Sequence, residues 1–245
     1  MPSFLEARRD RNWALLEGFH PLKHALRFGA QVVRAVSPEP EAIHRLAESL
    51  APDVLPWLED HLEPIPKEIF SRQTPYPLPS PVLALAPRPP IDAGALLREE
   101  GRNAPLLLLE HPSHLGNVGA AIRVAAAAGA RGVVVTGPQD PWHPAALRGA
   151  AGLQFALPVA AVAEGLPPVK GPLWALHPEG DPLESTPIPS EAMLVFGSER
   201  RGLSRDILKR AERRVAIPMT PGVSSLNLAT AVAVVLYAWR LGRSL

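Results

Sequence analysis

Three short segments of this 245-residue chain carry the residue types that do polar chemistry, and each is bounded or split by glycine or proline. The first is Gly116-Asn117-Val118-Gly119-Ala120-Ala121-Ile122-Arg123. Asn117 has the side chain that caps a helix, and Gly119 lets another backbone approach closely. Arg123 follows one helical turn later in a run of Ala and Val. A guanidinium among small apolar residues requires an anionic or carbonyl partner. Either a structural salt bridge or an incoming anion meets that need. The second segment runs from Leu194-Val195-Phe196 into Gly197-Ser198-Glu199-Arg200-Arg201-Gly202-Leu203-Ser204. An apolar strand that ends in a small polar loop can bind a ligand edge-on through its backbone, or it can be an ordinary turn into a helix. The third pairs Ile217-Pro218-Met219 with Ser225-Leu226-Asn227 across a loop containing Pro221 and Gly222. Ser225 and Asn227 are plausible caps for the apolar stretch that follows.

Missing patterns narrow the chemistry. The chain has no cysteine, which removes disulfides, Cys-ligated zinc, iron–sulfur clusters and thiol nucleophiles. No phosphate-binding G-x-x-x-x-G-K-[ST] loop is present, and Gly116-Asn-Val-Gly119 is not the G-x-G-x-x-G dinucleotide fingerprint. His111 and His114 are three apart, but Pro112 keeps them off a helix, and no third ligand lies nearby, so no metal is expected. Gly197-Ser198-Glu199 is half a nucleophile elbow without the G-x-S-x-G pattern.

The elements that must position these segments read as alternating strands and helices. Leu106–Leu109 is an apolar run of buried-strand type, with a helix over Gly119–Ala128 that Gly129 ends. Strands are expected at Gly132–Thr136, Leu173–Leu176, Met193–Phe196 and Val215–Pro218. Helices are expected at Pro144–Ala150, at Arg205–Arg213 with Ser204 as its cap, and at Ser225–Leu241. Such alternation makes a parallel sheet with helices on both faces, and ligands of such sheets sit beyond the carboxyl ends of the strands. A smaller α/β region precedes and extends into the proline-rich run Pro75–Pro90. Its strands are expected at Trp13–Leu16, Gln31–Val36 and Val82–Ala86, and its helices at His20–Phe28, Pro40–Leu50 and Glu68–Arg72. The expected organisation is a small α/β domain over residues 1–90, a linker over 91–102 and the parallel-sheet domain over 103–245.

Charge is nearly balanced, with 25 Lys and Arg against 24 Asp and Glu. Basic residues nevertheless concentrate after Ser198. Arg205, Lys209 and Arg213 recur every four residues, which places them on one face of the expected helix beside Arg200 and Arg201. Such a face is either solvated or a phosphate contact. The N-terminus has no apolar signal region, and the apolar stretch Leu226–Trp239 is too short to span a bilayer. A soluble, cytoplasmic protein is expected.

In this order, the three segments resemble the three motifs of the SpoU (TrmH-like) RNA ribose methyltransferases of the SPOUT superfamily. Residues 103–245 carry the resemblance. Leu16-Glu17-Gly18-Phe19-His20-Pro21-Leu22-Lys23-His24-Ala25 and Val82–Ala86 resemble the ribosomal-protein-like substrate-binding domain that many members carry. The resemblance implies a deep trefoil knot, a homodimer formed through the last helix, and methyl transfer from S-adenosylmethionine to a ribose 2′-hydroxyl of structured RNA. Ribosomal RNA is favoured over tRNA. It implies cofactor contacts at Gly197, Ile217 and Leu226, and it places Asn117, Arg123, Glu199, Ser225 and Asn227 around the reacting groups. Two departures stand out. The entry to the first motif is His111-Pro112-Ser113-His114 rather than Asp-Pro-x-Asn, and Gly149-Ala150-Ala151-Gly152 lacks a serine that many members have. Arginine is normally only a donor, so Arg123 is expected to grip phosphate or polarise the 2′-oxygen rather than serve as a base. Glu199 is the alternative carboxylate, or a partner of Arg123, or a cap. A knotted RNA-binding or ribosome-assembly factor without catalysis is the competing reading.

Overall fold

The computed structural model describes residues 1–163 and 165–243, which form two compact units. The first comprises Met1–Pro90 together with Trp142–Ala156, and the second comprises Ile91–Pro141 and Leu157–Leu245.

The first unit opens with α1 (Phe4–Ala7), closed by a reciprocal capping box between Ser3 and Glu6. There follow β1 (Trp13–Glu17), α2 (Phe19–Arg27), β2 (Arg34–Ser37), α3 (Pro40–Leu50), α4 (Leu55–His61), β3 (Leu62–Pro64), α5 (Lys67–Ser71) and β4 (Leu83–Pro87). The four strands form a mixed sheet in the order β1-β4-β2-β3. Leu15, Val36, Leu83 and Leu85 pack with Phe4 and Phe70 to form its core.

The second unit begins with α6 (Ala93–Arg98), whose Leu96 and Leu97 are buried in the core of the sheet. Residues 91–102, expected as a linker, therefore contribute an element to the larger unit. Next come β5 (Leu106–Leu109), α7 (Leu115–Ala128) and β6 (Gly132–Thr136). The short helix α8 (Pro144–Gly149) follows in sequence but groups with the first unit. The chain continues through β7 (Val159–Val162), β8 (Leu173–Pro182), β9 (Met193–Phe196), α9 (Arg205–Arg210), β10 (Arg213–Ala216) and α10 (Leu228–Gly242). All six strands run parallel in the order β10-β8-β9-β5-β6-β7. Leu106 to Leu109 on β5 are fully buried, as a central strand covered on both faces requires.

From β5 the chain winds to β6 and β7 on one side and to β9, β8 and β10 on the other. The switch point is thus the crevice between the carboxyl ends of β5 and β9, where open parallel sheets bind ligands. Helix α7 ends at Gly129 in the left-handed conformation, and α10 packs against α7. No described helix is long and apolar enough to cross a membrane.

Several expected helices have different bounds, and at α9 and α10 the difference moves candidate residues. Helix α9 stops at Arg210, because Ala211 turns to extended backbone and the Glu212 N–H joins Leu173 of β8. Arg213 consequently starts a strand and does not share a helix face with Arg205 and Lys209. Helix α10 starts at Leu228, with Asn227 as its cap, so Ser225 lies in the preceding loop.

Candidate functional site

Asn117 was expected to cap α7, but the helix begins two residues earlier, with His114 at its N-cap position. The Asn117 side chain is therefore free to reach across the crevice. Its Nδ2 donates to Glu199 Oε1 at 2.7 Å, and its Oδ1 accepts from Asn227 Nδ2 at 3.0 Å. Asn227 meanwhile caps α10, its Oδ1 accepting from the N–H groups of Ala229 and Thr230 at 2.9 and 3.4 Å. The second oxygen of Glu199 accepts from the Ser113 N–H at 2.8 Å. One chain of hydrogen bonds thus ties the loops after β5, β9 and β10 together.

The electrostatics of Glu199 follow from that wiring. Partial burial works to raise its carboxyl, but the donors Asn117 and Ser113 outweigh burial and hold it below the ordinary value of 4.5. All of these donors are neutral. The carboxylate is oriented without being neutralised by an adjacent cation.

The loop that carries Glu199 is a tight hairpin. Ser198 and Gly202 exchange backbone hydrogen bonds of 3.1 and 2.9 Å, and Ser198 Oγ accepts from the Arg201 N–H at 3.1 Å. Gly197 permits the closure, since a Cβ there would collide with the Gly202 backbone and lie 2.5 Å from the Leu203 nitrogen. A side chain at 197 would therefore distort the loop itself rather than only fill a pocket. Beyond the hairpin, Ser204 caps α9 through the Ile207 N–H at 3.3 Å.

Arg123 is exposed and makes no hydrogen bond or ion pair among the described residues. It does not pair with Glu199, and no structural salt bridge occupies it. Ser225 and Leu226 are also exposed, Gly197 and Ile217 are half-buried, and all four stand on the loops after β9 and β10. Of the five residues expected around the reacting groups, Asn117, Glu199 and Asn227 are joined by hydrogen bonds, while Arg123 and Ser225 stand outside that chain. Among the basic residues, Arg200, Arg201, Arg205 and Lys209 are exposed. Arg213 is already engaged, paired with Asp181 at 3.0 Å and lying over the Trp174 ring.

Sequence reasoning missed the floor of the crevice. A cavity of about 620 Å³ opens at the carboxyl ends of β5, β6 and β9, lined by Glu110, His111, Ser113 and Gln139 among others. Gln139 Nε2 donates to the Ser113 carbonyl at 3.2 Å. The position of Glu110 directly after an apolar strand was the available signal. Among the described residues, no group of three or more His, Asp or Glu side chains is placed to hold a metal ion.

Known proteins resemble this chain in sequence and in fold. The profile of the SpoU rRNA Methylase family matches residues 104–237. A Synechocystis tRNA/rRNA methyltransferase described as uncharacterized is 37% identical over 147 residues, which is 55% of this chain and 52% of that protein. The chain thus spans about half the length of that relative. A 23S rRNA (guanosine(2553)-2′-O)-methyltransferase of Bacillus subtilis is 26% identical over 242 residues, covering 95% of this chain and 90% of its own. The crystal structure of the SpoU methyltransferase AviRb from Streptomyces viridochromogenes, in complex with its cofactor AdoMet, superposes with a TM-score of 0.79. It is 22% identical, with 98% of this chain and 96% of that chain covered, and so speaks to the fold. Because the family profile covers more than half of the sequence and includes all three hydrogen-bonded loops, the chain belongs to the SpoU rRNA methylase family.

Proposed function

We propose that the protein is an S-adenosylmethionine-dependent RNA methyltransferase that modifies a ribose 2′-hydroxyl, with ribosomal RNA as its substrate ahead of tRNA, and that it works in the cytoplasm as a homodimer. The observation that carries this reading is the Asn117–Glu199–Asn227 chain, which fixes three loops around one crevice. The knotted SPOUT fold comes with the family, and relatives named as 23S rRNA and tRNA/rRNA methyltransferases support the substrate class.

The residues present suit the cofactor. The closed hairpin at Gly197 offers backbone groups, while half-buried Ile217 and exposed Leu226 offer apolar surface of the kind an adenosyl group covers. The cofactor, when bound, supplies a methyl group already activated on a sulfonium. The protein's task is then positioning, which is worth up to ~7–11 kcal/mol when reacting atoms are held in line. Arg123, with no internal partner, is available to grip the phosphate beside the target ribose or to polarise its 2′-oxygen. Glu199 orders the crevice through Asn117 and Ser113 and remains open to a donor. Exposed Val234, Tyr237 and Leu241 on α10 give that helix the apolar surface a two-fold interface needs.

Calorimetry with S-adenosylmethionine, followed by transfer of labelled methyl to rRNA and tRNA from a strain lacking the gene, tests the reading. Cofactor binding and 2′-O-methylation at a defined nucleotide are expected. RNA binding without cofactor heat would favour a non-catalytic RNA-binding factor instead.

A further inference from the structure

The proposed reaction leaves one buried carboxylate of the crevice unused. Glu110 follows β5 directly, is 8% exposed and lines the cavity. One of its oxygens accepts from the Ser204 N–H at 2.8 Å, and the other has no hydrogen-bond partner among the described residues. Because Glu110 lines the cavity, a ligand that enters can bring a donor to that oxygen.

The surroundings limit what that ligand is. Leu108, Leu166, Leu203 and Ile207 give the cavity apolar walls. His111 lies beside Glu110 with φ 45°, a left-handed conformation that non-glycine residues seldom adopt. Its ring is seated against Gly137, where an added Cβ would lie 2.5 Å from Nδ1. Backbone held in such a region marks sites where a side chain must point in one direction. A volume of about 620 Å³ lies within the range of small-ligand pockets. The cavity also adjoins the hydrogen-bonded chain, since its lining residue Ser113 is the backbone donor to Glu199. Apolar walls, an imidazole and the Glu110 carboxylate suit a flat ligand with apolar faces and a polar, donating edge.

We propose that this cavity receives an unstacked nucleobase of the RNA, and that Glu110 selects a base with an exocyclic amino group. The proposal rests on the methyltransferase reading above and specifies its substrate. Sequence-specific RNA recognition takes bases splayed out of the helix, stacks them on rings that include His and reads their edges by hydrogen bonds. A carboxylate accepts from the cytosine amino group, and the guanine amino group offers the same chemistry. Uracil has no amino group, and its imino N–H is flanked by two carbonyl oxygens that a carboxylate repels.

Titrating the full-length protein with CMP, GMP and UMP by ligand-observed NMR, with and without S-adenosylmethionine, tests this directly. CMP or GMP is expected to bind about tenfold or more tightly than UMP, with no displacement by S-adenosylmethionine. Glu110→Gln keeps an acceptor for the Ser204 N–H but turns an amide donor toward the base, so it should reverse the preference in favour of UMP. Leu166→Trp, which narrows the cavity without touching Glu110, should abolish binding of all three. Equal affinity for all three in the wild type, or a preference that both variants leave unchanged, overturns the proposal. Displacement by S-adenosylmethionine also overturns it, by assigning the cavity to the cofactor. Methyl transfer without nucleotide discrimination would refute the base pocket alone. Discrimination without methyl transfer would uphold the pocket and refute the methyltransferase reading.

Discussion

Two glutamates, Glu17 in the first unit and Glu199 in the second, are each held by several donors, yet they are held in opposite ways. The Glu17 side chain is fully buried and pairs with Arg8 at 2.6 Å and with Arg148. The Tyr76 hydroxyl donates to it at 2.5 Å, and the Arg148 guanidinium lies over the Tyr76 ring. Burial, followed by the bond to Glu17, raises the Tyr76 hydroxyl above its ordinary value, which keeps it a donor. Each charge in that cluster faces an opposite one. Glu199 is exposed and held by neutral donors, among them the Asn117 amide and the Ser113 backbone N–H. The arginines differ in the same sense, since Arg148 is engaged by Glu17 while Arg123 has no partner among the described residues. Satisfied charges mark a clamp that holds structure, and oriented but unneutralised ones mark a place where something else binds.

The largest expected effect is on the clamp. Glu17→Ala leaves two guanidiniums, with side chains 19% and 35% exposed, facing an emptied and uncompensated site. Breaking a buried pair by removing one partner costs about 3–5 kcal/mol, and the partial exposure of both arginines points to the lower end. Urea unfolding should show a lowered midpoint with unchanged slope. A midpoint equal to wild type would end the distinction between the two glutamates.

Next in size is Arg123→Ala. Alanine fits the small-residue helix and has the better helix propensity, so melting and cofactor affinity should match wild type. Methyl transfer should fall by at least ~100-fold, the scale expected when a polar group that stabilises a transition state is removed. Full activity would remove Arg123 from the reacting groups. Glu199→Gln should cost about tenfold in rate and under ~1 kcal/mol in stability, because the amide still accepts one of the two hydrogen bonds. Since the folded-state carboxyl of Glu199 is depressed, its contribution is present above the ordinary value of 4.5 and is lost only as pH falls through the lower folded value. The pH–rate profile should therefore show no Glu199-dependent acid limb above that ordinary value, and a limb there that Glu199→Gln removes would contradict the assignment.

How much of this was legible in the sequence depended on whether the signal was local. Pro40–Leu50 and Leu106–Leu109 were readable to the residue, the one from apolar spacing behind a helix-starting proline and the other from an unbroken apolar run. The Ser204 cap was readable for the same reason. Strand β7 and helices α4 and α6 were not, because short segments such as Val159-Ala-Ala-Val162 have no period that separates strand from helix. The start of α7 was misplaced because Gly116 and Asn117 favour turns, and tertiary contacts override that preference. The three glycine-bounded segments do meet at one crevice, but the wiring between them joins residues 82 and 110 positions apart. The grouping of Trp142–Ala156 with the first unit, and the buried Glu110, likewise depend on packing that no local pattern encodes.

The smallest effect carries the contrast between occupied and unoccupied charges to the protein surface. Arg205 and Lys209 on α9 are exposed, whereas Arg213 on β10 is paired with Asp181 and lies over Trp174. If free cations are the ones that meet RNA, replacing Arg205 and Lys209 with Ala should weaken RNA binding modestly. It should also flatten the dependence of log affinity on log salt by up to roughly 0.9 for each phosphate that is no longer neutralised on duplex-like sites. Such cations position the nucleic acid without reading its bases, so base preference should be unchanged. Arg213→Ala should leave the salt slope as it is, because its guanidinium already has an anionic partner that RNA would have to displace. Filter binding across a salt series measures both. A slope unchanged in the double variant would make α9 a solvated face, while a slope flattened equally by Arg213→Ala would show that an existing ion pair does not keep a cation from RNA, and would break the rule drawn from Glu17 and Glu199.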